Sequence, residues 1–189
     1  MSFSLELPLP DWLDAYLSPP RRLDGPAACM ALAVELSAQN ILNQTGGPFG
    51  AVVVDARTGE LLGVGVNLVV RSGLTMAHAE MVALAVAQLR LHAAGGRGNR
   101  QLLLATSAEP CAMCLGGIHW AGVSSVLIGA RDEDVRAIGF DEGHKPEDWE
   151  ARWKLAGITV IRDVLRSEAS AVLQTYARIG GMIYNPGKV

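Results

Sequence analysis

Apolar positions such as Met30, Val34 and Ile41 recur at helical spacing from Pro26 to about Asn43, and this run predicts a first helix. The stretch Gly46-Gly47-Pro48-Phe49-Gly50 breaks it. Ala51 to Val54 and Leu61 to Val66 then predict two strands around the turn Asp55 to Glu60, which reads as a hairpin. From His78 to His92 the residues Met81, Val82, Leu84, Ala85, Val86 and Leu89 make a helix apolar almost all round, as expected of one covered by a sheet and neighbours. A Gly-rich loop at 95–98 ends it. Leu102 to Ala105, Ala112 to Ala121 and Val126 to Ile128 predict strand, helix and strand, so closely spaced that the crossover is parallel. Residues 132–138 predict a short helix, 139–148 a polar loop, 158–161 a further strand and 167–179 a last helix. Runs apolar on both faces belong inside a sheet covered on each side, so the expected fold is a three-layer α/β/α sandwich around a mixed sheet of about five strands. Residues 1–23, with Pro8, Pro10, Pro19 and Pro20 around Trp12 and Tyr16, read as an N-terminal arm lying over a body of residues 24–180, and 181–189 as a tail.

With 189 residues, 50% hydrophobic and 19% charged, the chain suits one domain whose core needs no staples. The formal charge of −3 lacks the positive field that grips a nucleic-acid backbone; there are only three lysines, and Arg97 and Arg100 form a local basic pair. Three cysteines, an odd number, argue for a reducing compartment. The opening stretch, with Glu6 and Asp11 among its prolines, has neither the basic start nor the apolar run of a signal peptide, and no segment reaches the roughly 18 apolar residues of a membrane helix. The expectation is a cytoplasmic globular protein without membrane contact.

Cys111 and Cys114 stand in Pro110-Cys-Ala-Met-Cys, where a strand gives way to a helix. Their spacing puts both sulfurs on one helical face, and the helix start favours their thiolate forms. On this motif alone, zinc and a thioredoxin-like redox pair stand level. The upstream segment His78-Ala79-Glu80 adds an imidazole at the start of another helix and a nearby carboxylate. Residues two apart in a helix diverge by roughly 200°, so His78 and Glu80 converge only if His78 occupies the helix entry. Cys29 reads as a small core residue, and His92, His119 and His144 lack ligand spacing. Three protein donors leave a fourth position on zinc for water, whose pKa the metal lowers, with Glu80 placed to move the proton.

His78-Ala-Glu80 followed by Pro110-Cys-x-x-Cys114 resembles the signature of the zinc-dependent cytidine deaminase superfamily. Gly46 to Gly50, Asn67, Glu109-Pro110-Cys111, the Trp120 region and Phe140-Asp-Glu-Gly143 resemble its guanine deaminase branch, which includes bacterial guanine and ammeline deaminases. The resemblance implies a cytidine deaminase-like fold, Zn2+ held by His78, Cys111 and Cys114, proton transfer by Glu80, and a homodimer. For the substrate it implies Phe49 stacking on a heterocycle, where an ordinary core aromatic is the other reading; Asn67 hydrogen-bonding a base edge, where a turn residue is the other; and Glu142 accepting from ring N–H or an exocyclic amine, with Asp141 as the competing carboxylate. Ala79 and Trp120 join these contacts, and Tyr184 is assigned to a tail that closes the site as a lid.

The expected reaction is hydrolysis of guanine to xanthine and ammonia. Ammeline, cytosine or a nucleoside is the alternative within the class, and a tRNA adenosine substrate is disfavoured by the charge balance. A redox dithiol or a purely structural zinc is the alternative outside it, and either leaves Glu80 without a task.

Overall fold

The structure, a computed structural model, describes residues 6–185 and 187. Residues 1–5 of the arm and 186, 188 and 189 of the tail lie outside the described residues. A 3₁₀ turn (Asp11–Leu13) runs into α1 (Asp14–Leu17), followed by α2 (Gly25–Leu42), β1 (Gly50–Asp55), β2 (Leu61–Val66), α3 (Val69–Ser72), α4 (Ala79–Ala93), β3 (Leu102–Ala108), α5 (Ala112–Trp120), β4 (Ser125–Ala130), α6 (Asp132–Ala137), α7 (Trp149–Leu155), β5 (Thr159–Ile161) and α8 (Arg166–Arg178).

The strands form one mixed sheet in the order β2-β1-β3-β4-β5. β1 pairs antiparallel with β2 and β3, while β3–β4 and β4–β5 are parallel, as the expected hairpin and crossover require. Alternation along the strands sorts the layers. Ala51, Val53, Leu104, Val126 and Ile128 face a core shared with α4, α5 and α7, whereas Val52, Val54, Ala105 and Leu127 face α2 on the other side. The result is a three-layer α/β/α sandwich.

Three departures from the sequence pattern have physical reasons. The arm contributes to the core: Leu13 is wholly buried beside Trp12 and Tyr16 against the α2 layer. α7 was not expected, because it buries only Trp149 and Trp153, four apart in a charged segment; the two rings pack edge to face at 5.0 Å and cover the sheet near Ile158. α3 is a single turn too short to leave a periodic trace.

One close approach fixes the height at which α4 begins. A Cβ on Gly65 would lie 2.3 Å from the carbonyl oxygen of Ala79, and one on Gly63 would lie 2.4 Å from that of Ala83. Only glycine lets β2 accept the helix backbone at that distance. The first turn of α4, and with it the His78-Ala79-Glu80 segment, is thereby seated against the sheet.

Candidate active site

Two helix starts meet at one corner. His78 is the N-cap of α4 with an extended backbone (φ −73°, ψ 156°), so its side chain leaves the helical progression, and Glu80 in the first turn turns toward the same space. This is the entry geometry that convergence requires. Cys111 is the N-cap of α5, also extended (φ −68°, ψ 171°), and Cys114 lies in that helix's first turn. The strand β3 delivers this turn, and the amide of Glu109 donates to Ala130 of the neighbouring β4 at 2.8 Å, which ties the strand end down.

The donor atoms of His78, Cys111 and Cys114 all lie within 4.8 Å of one another, with His78 Nδ1 3.5 Å from Cys111 Sγ. Donors bonded to one zinc at about 2.0–2.3 Å stand at comparable separations, so the trio fits the ion. No other such cluster occurs among the described residues. Cys29 lies in the apolar core, 2% exposed, where burial pushes its thiol up to about 11.

The electrostatics of the corner are those of crowded anions. The hydrogen bond from Cys114, with further help from His78, holds the Cys111 thiol down at about 4, so the pair keeps its proton on Cys114. Burial alone would lower the His78 imidazole, but its hydrogen bond to Cys111 and the charges of Cys111, Glu80 and Glu142 carry it upward. Burial, then the charge on Cys111, raises Glu80 above the usual carboxylate range. Burial likewise pushes Glu142 up to about 8, with Cys111 and Glu80 adding to it. A divalent cation among the three donors removes the repulsion that these groups exert on one another.

His78 and Cys111 open onto a cavity of about 450 Å³, with Cys114 buried behind them. Phe49, Asn67, Ala79, Glu80, Asp141, Glu142 and Tyr184 all line it, gathered from five separate stretches of chain. The two carboxylates of the 141–142 pair are not equivalent. Asp141 is half exposed and turned back on its loop, accepting from the Gly143 amide at 2.8 Å and facing Arg136 at 3.8 Å; Glu142 is 8% exposed within the cavity. Trp120 does not belong to the lining. It stands at the far end of α5, two turns from Cys111, and is 88% exposed, so its expected contact with substrate within one chain is corrected.

Asn67 is buried and donates through Nδ2 to the Tyr184 hydroxyl, so the tail is docked in the cavity of its own chain. Its backbone is held by Asn40, whose Nδ2 donates to the carbonyls of Asn67 and Gly47 at 2.9 and 2.8 Å. The sequence reading missed Asn40, which with Ser37 breaks the apolar face of α2; that break was the signal. It also gave no separate role to Phe140, whose ring packs edge-on to Phe49 at 5.0 Å and to Tyr184 at 5.2 Å and so joins three distant segments around the cavity.

Residues 26–130 match the family described as the cytidine and deoxycytidylate deaminase zinc-binding region. The chain is 39% identical over 110 residues to a guanine deaminase from Bacillus subtilis, an overlap of 58% of this chain and 67% of that protein. A solved guanine deaminase from Nitrosomonas europaea is 42% identical with a TM-score of 0.88, covering 94% of this chain and 98% of that one. A structure in complex with 2,6-diaminopurine is 43% identical with a TM-score of 0.89, covering 96% of this chain and 97% of that one.

Proposed function

This chain belongs to the zinc-binding cytidine and deoxycytidylate deaminase family, and from that premise we propose that it hydrolyses guanine to xanthine and ammonia. The observation that carries the reading is a further buried carboxylate, Glu142, in the cavity that Glu80 lines together with the donors His78 and Cys111; Glu109, also buried there, is already paired with Lys145 and Arg162. A free amino-purine presents adjacent ring N–H and amino donors, and a carboxylate in that position, whose ionised form a divalent cation nearby favours, accepts both; a pyrimidine nucleoside has less use for it.

His78, Cys111 and Cys114 hold zinc, which when bound supplies Lewis acidity that brings the pKa of water down to about 7. Glu80 takes a proton from the attacking water and delivers it to the 2-amino nitrogen as the bond to C2 breaks, so water and guanine leave as xanthine and ammonia. Its burial suits it to that exchange, because a carboxyl raised above its ordinary range holds a proton long enough to pass it on. Phe49 offers the heterocycle an aromatic edge or face, and the Asn67 amide offers a donor and an acceptor to the base. Tyr184 shields the bound base from bulk water as part of a C-terminal lid, which requires its bond to Asn67 to yield when substrate enters.

No helix among the described residues is long and apolar enough to cross a membrane, and the three cysteines are unpaired. We place the protein in the cytoplasm on the second ground. We also propose a homodimer, which would cover Met113 and Trp120, apolar side chains left 41% and 88% exposed on α5. Ammonia release over a panel of amino-purines, amino-pyrimidines and amino-triazines tests the substrate. Guanine should be turned over with the highest kcat/KM; release from cytosine or ammeline with guanine spared would overturn the assignment.

A further inference from the structure

The loop that carries Glu142 into the cavity is fastened by its backbone. The Glu142 carbonyl accepts from the Ala112 amide at 3.0 Å, so this residue is strapped to the first turn of α5, beside Cys111. The Gly143 carbonyl accepts from Arg136 at 2.9 Å. Gly139 and Gly143 frame the segment with φ of 104° and 70°, conformations that let so short a stretch reverse twice.

Two residues after Gly143 comes Lys145, whose side chain is only 9% exposed. Its ammonium lies 2.7 Å from Glu109 Oε1, 2.5 Å from Asp132 Oδ1 and 3.3 Å from the Pro110 carbonyl oxygen. The ammonium donates to Glu109 at the end of β3 and to the Pro110 carbonyl in the turn before the metal donors, and it pairs in charge with Asp132 at the start of α6. Glu109 is itself 5% exposed and holds Arg162 at 2.7 Å through its other oxygen, which anchors the cluster to the segment after β5. Lys145 lines a separate cavity of about 310 Å³ behind the loop and is not part of the lining of the candidate active site. It therefore does not touch a bound base. Buried ion clusters of this kind add little net stability, but removing one member leaves the others as uncompensated buried charges that must move toward water.

We propose that Lys145 is a positioning residue for Glu142: its ammonium pins the loop to β3 and α6 and so sets where the Glu142 carboxylate stands relative to the metal corner. This rests on the reading of Glu142 as the group that receives the base.

The test is a double-mutant cycle on the zinc-loaded full chain, with kcat and KM for guanine measured for wild type, Lys145→Met, Glu142→Gln and the double variant, and zinc content alongside. Lys145→Met should raise KM about tenfold or more while kcat stays within about threefold and zinc stays near one per chain. In the Glu142→Gln background the same change should add less than about threefold, because its effect passes through a carboxylate already removed. Multiplicative effects, or a loss confined to kcat, would overturn the proposal and leave the base-recognition reading standing. A KM unmoved by Glu142→Gln would remove that reading and this inference with it. Should Lys145→Met fail to fold, Lys145→Arg keeps the charge but cannot set a planar fork on the same three partners; it should raise KM by about threefold to tenfold, and an unchanged KM would count against the proposal.

Discussion

The corner that holds the three donors and the rim that faces it are built by different means. His78, Glu80, Cys111 and Cys114 stand at the caps or in the first turns of two helices, which the sheet seats from below. The rim is assembled from ends and loops: Phe49 precedes β1, Asn67 follows β2, Glu142 rides on the 139–146 loop, and Tyr184 belongs to the tail. In the corner, local backbone geometry aims each side chain, so short motifs suffice to specify it. On the rim, aim depends on long-range fastenings such as Asn40 to Asn67 and Lys145 to Glu109. Chemistry common to a class of enzymes sits in the first; selection among substrates sits in the second.

The largest effects should follow from breaking the corner. Cys114→Ser, or exhaustive chelation of wild type, should abolish ammonia release; added zinc should restore the chelated chain and not the variant. Metal analysis beside the activity assay checks this, and a chelated chain at full rate would separate the donors from the reaction. Gly65→Ala comes next in the same region. A methyl placed 2.3 Å from the Ala79 carbonyl must push α4 away, at about 1–3 kcal/mol of stability or more, read as a lower urea midpoint.

On the rim the effects should be smaller and of another kind. Glu142→Gln should raise KM for guanine by about tenfold to a hundredfold and keep zinc, which steady-state kinetics at fixed metal would show. Its pH dependence has a definite sign. The folded metal-free chain keeps the Glu142 proton up to about 8, whereas an unfolded chain releases it at the ordinary carboxylate value of 4.5. The group's contribution to stability is therefore complete below 4.5 and gone above about 8. Metal-free Glu142→Gln should gain melting temperature relative to metal-free wild type as pH rises through that window. A constant difference would place the Glu142 carboxyl in water.

This division also explains what could be read from the chain. The hairpin, the parallel crossover and the layer order follow from periodicity, which records burial on each face. The three donors and Glu80 follow from spacing, because a helix cap fixes direction within a few residues. Asn40 and Lys145 escaped because their partners lie 27 and 36 residues away, at Asn67 and Glu109; the polar break in α2 marks Asn40 as unusual, but no local pattern says what either residue pairs with. Phe140 was within the recognised stretch, yet its part in joining Phe49 to Tyr184 needs the tail brought back across the sheet. Trp120 illustrates the opposite error: the resemblance implied a substrate contact there, but six residues along a helix from Cys114 carry its side chain well over a turn away.

The most direct test of the account is Glu80→Gln, assayed for zinc content and for ammonia release from guanine in one preparation. About one zinc per chain with turnover reduced by at least 10² to 10⁴ is the expected result, since the variant keeps the shape of the site and loses its proton carrier. Zinc retained with turnover equal to wild type would contradict it.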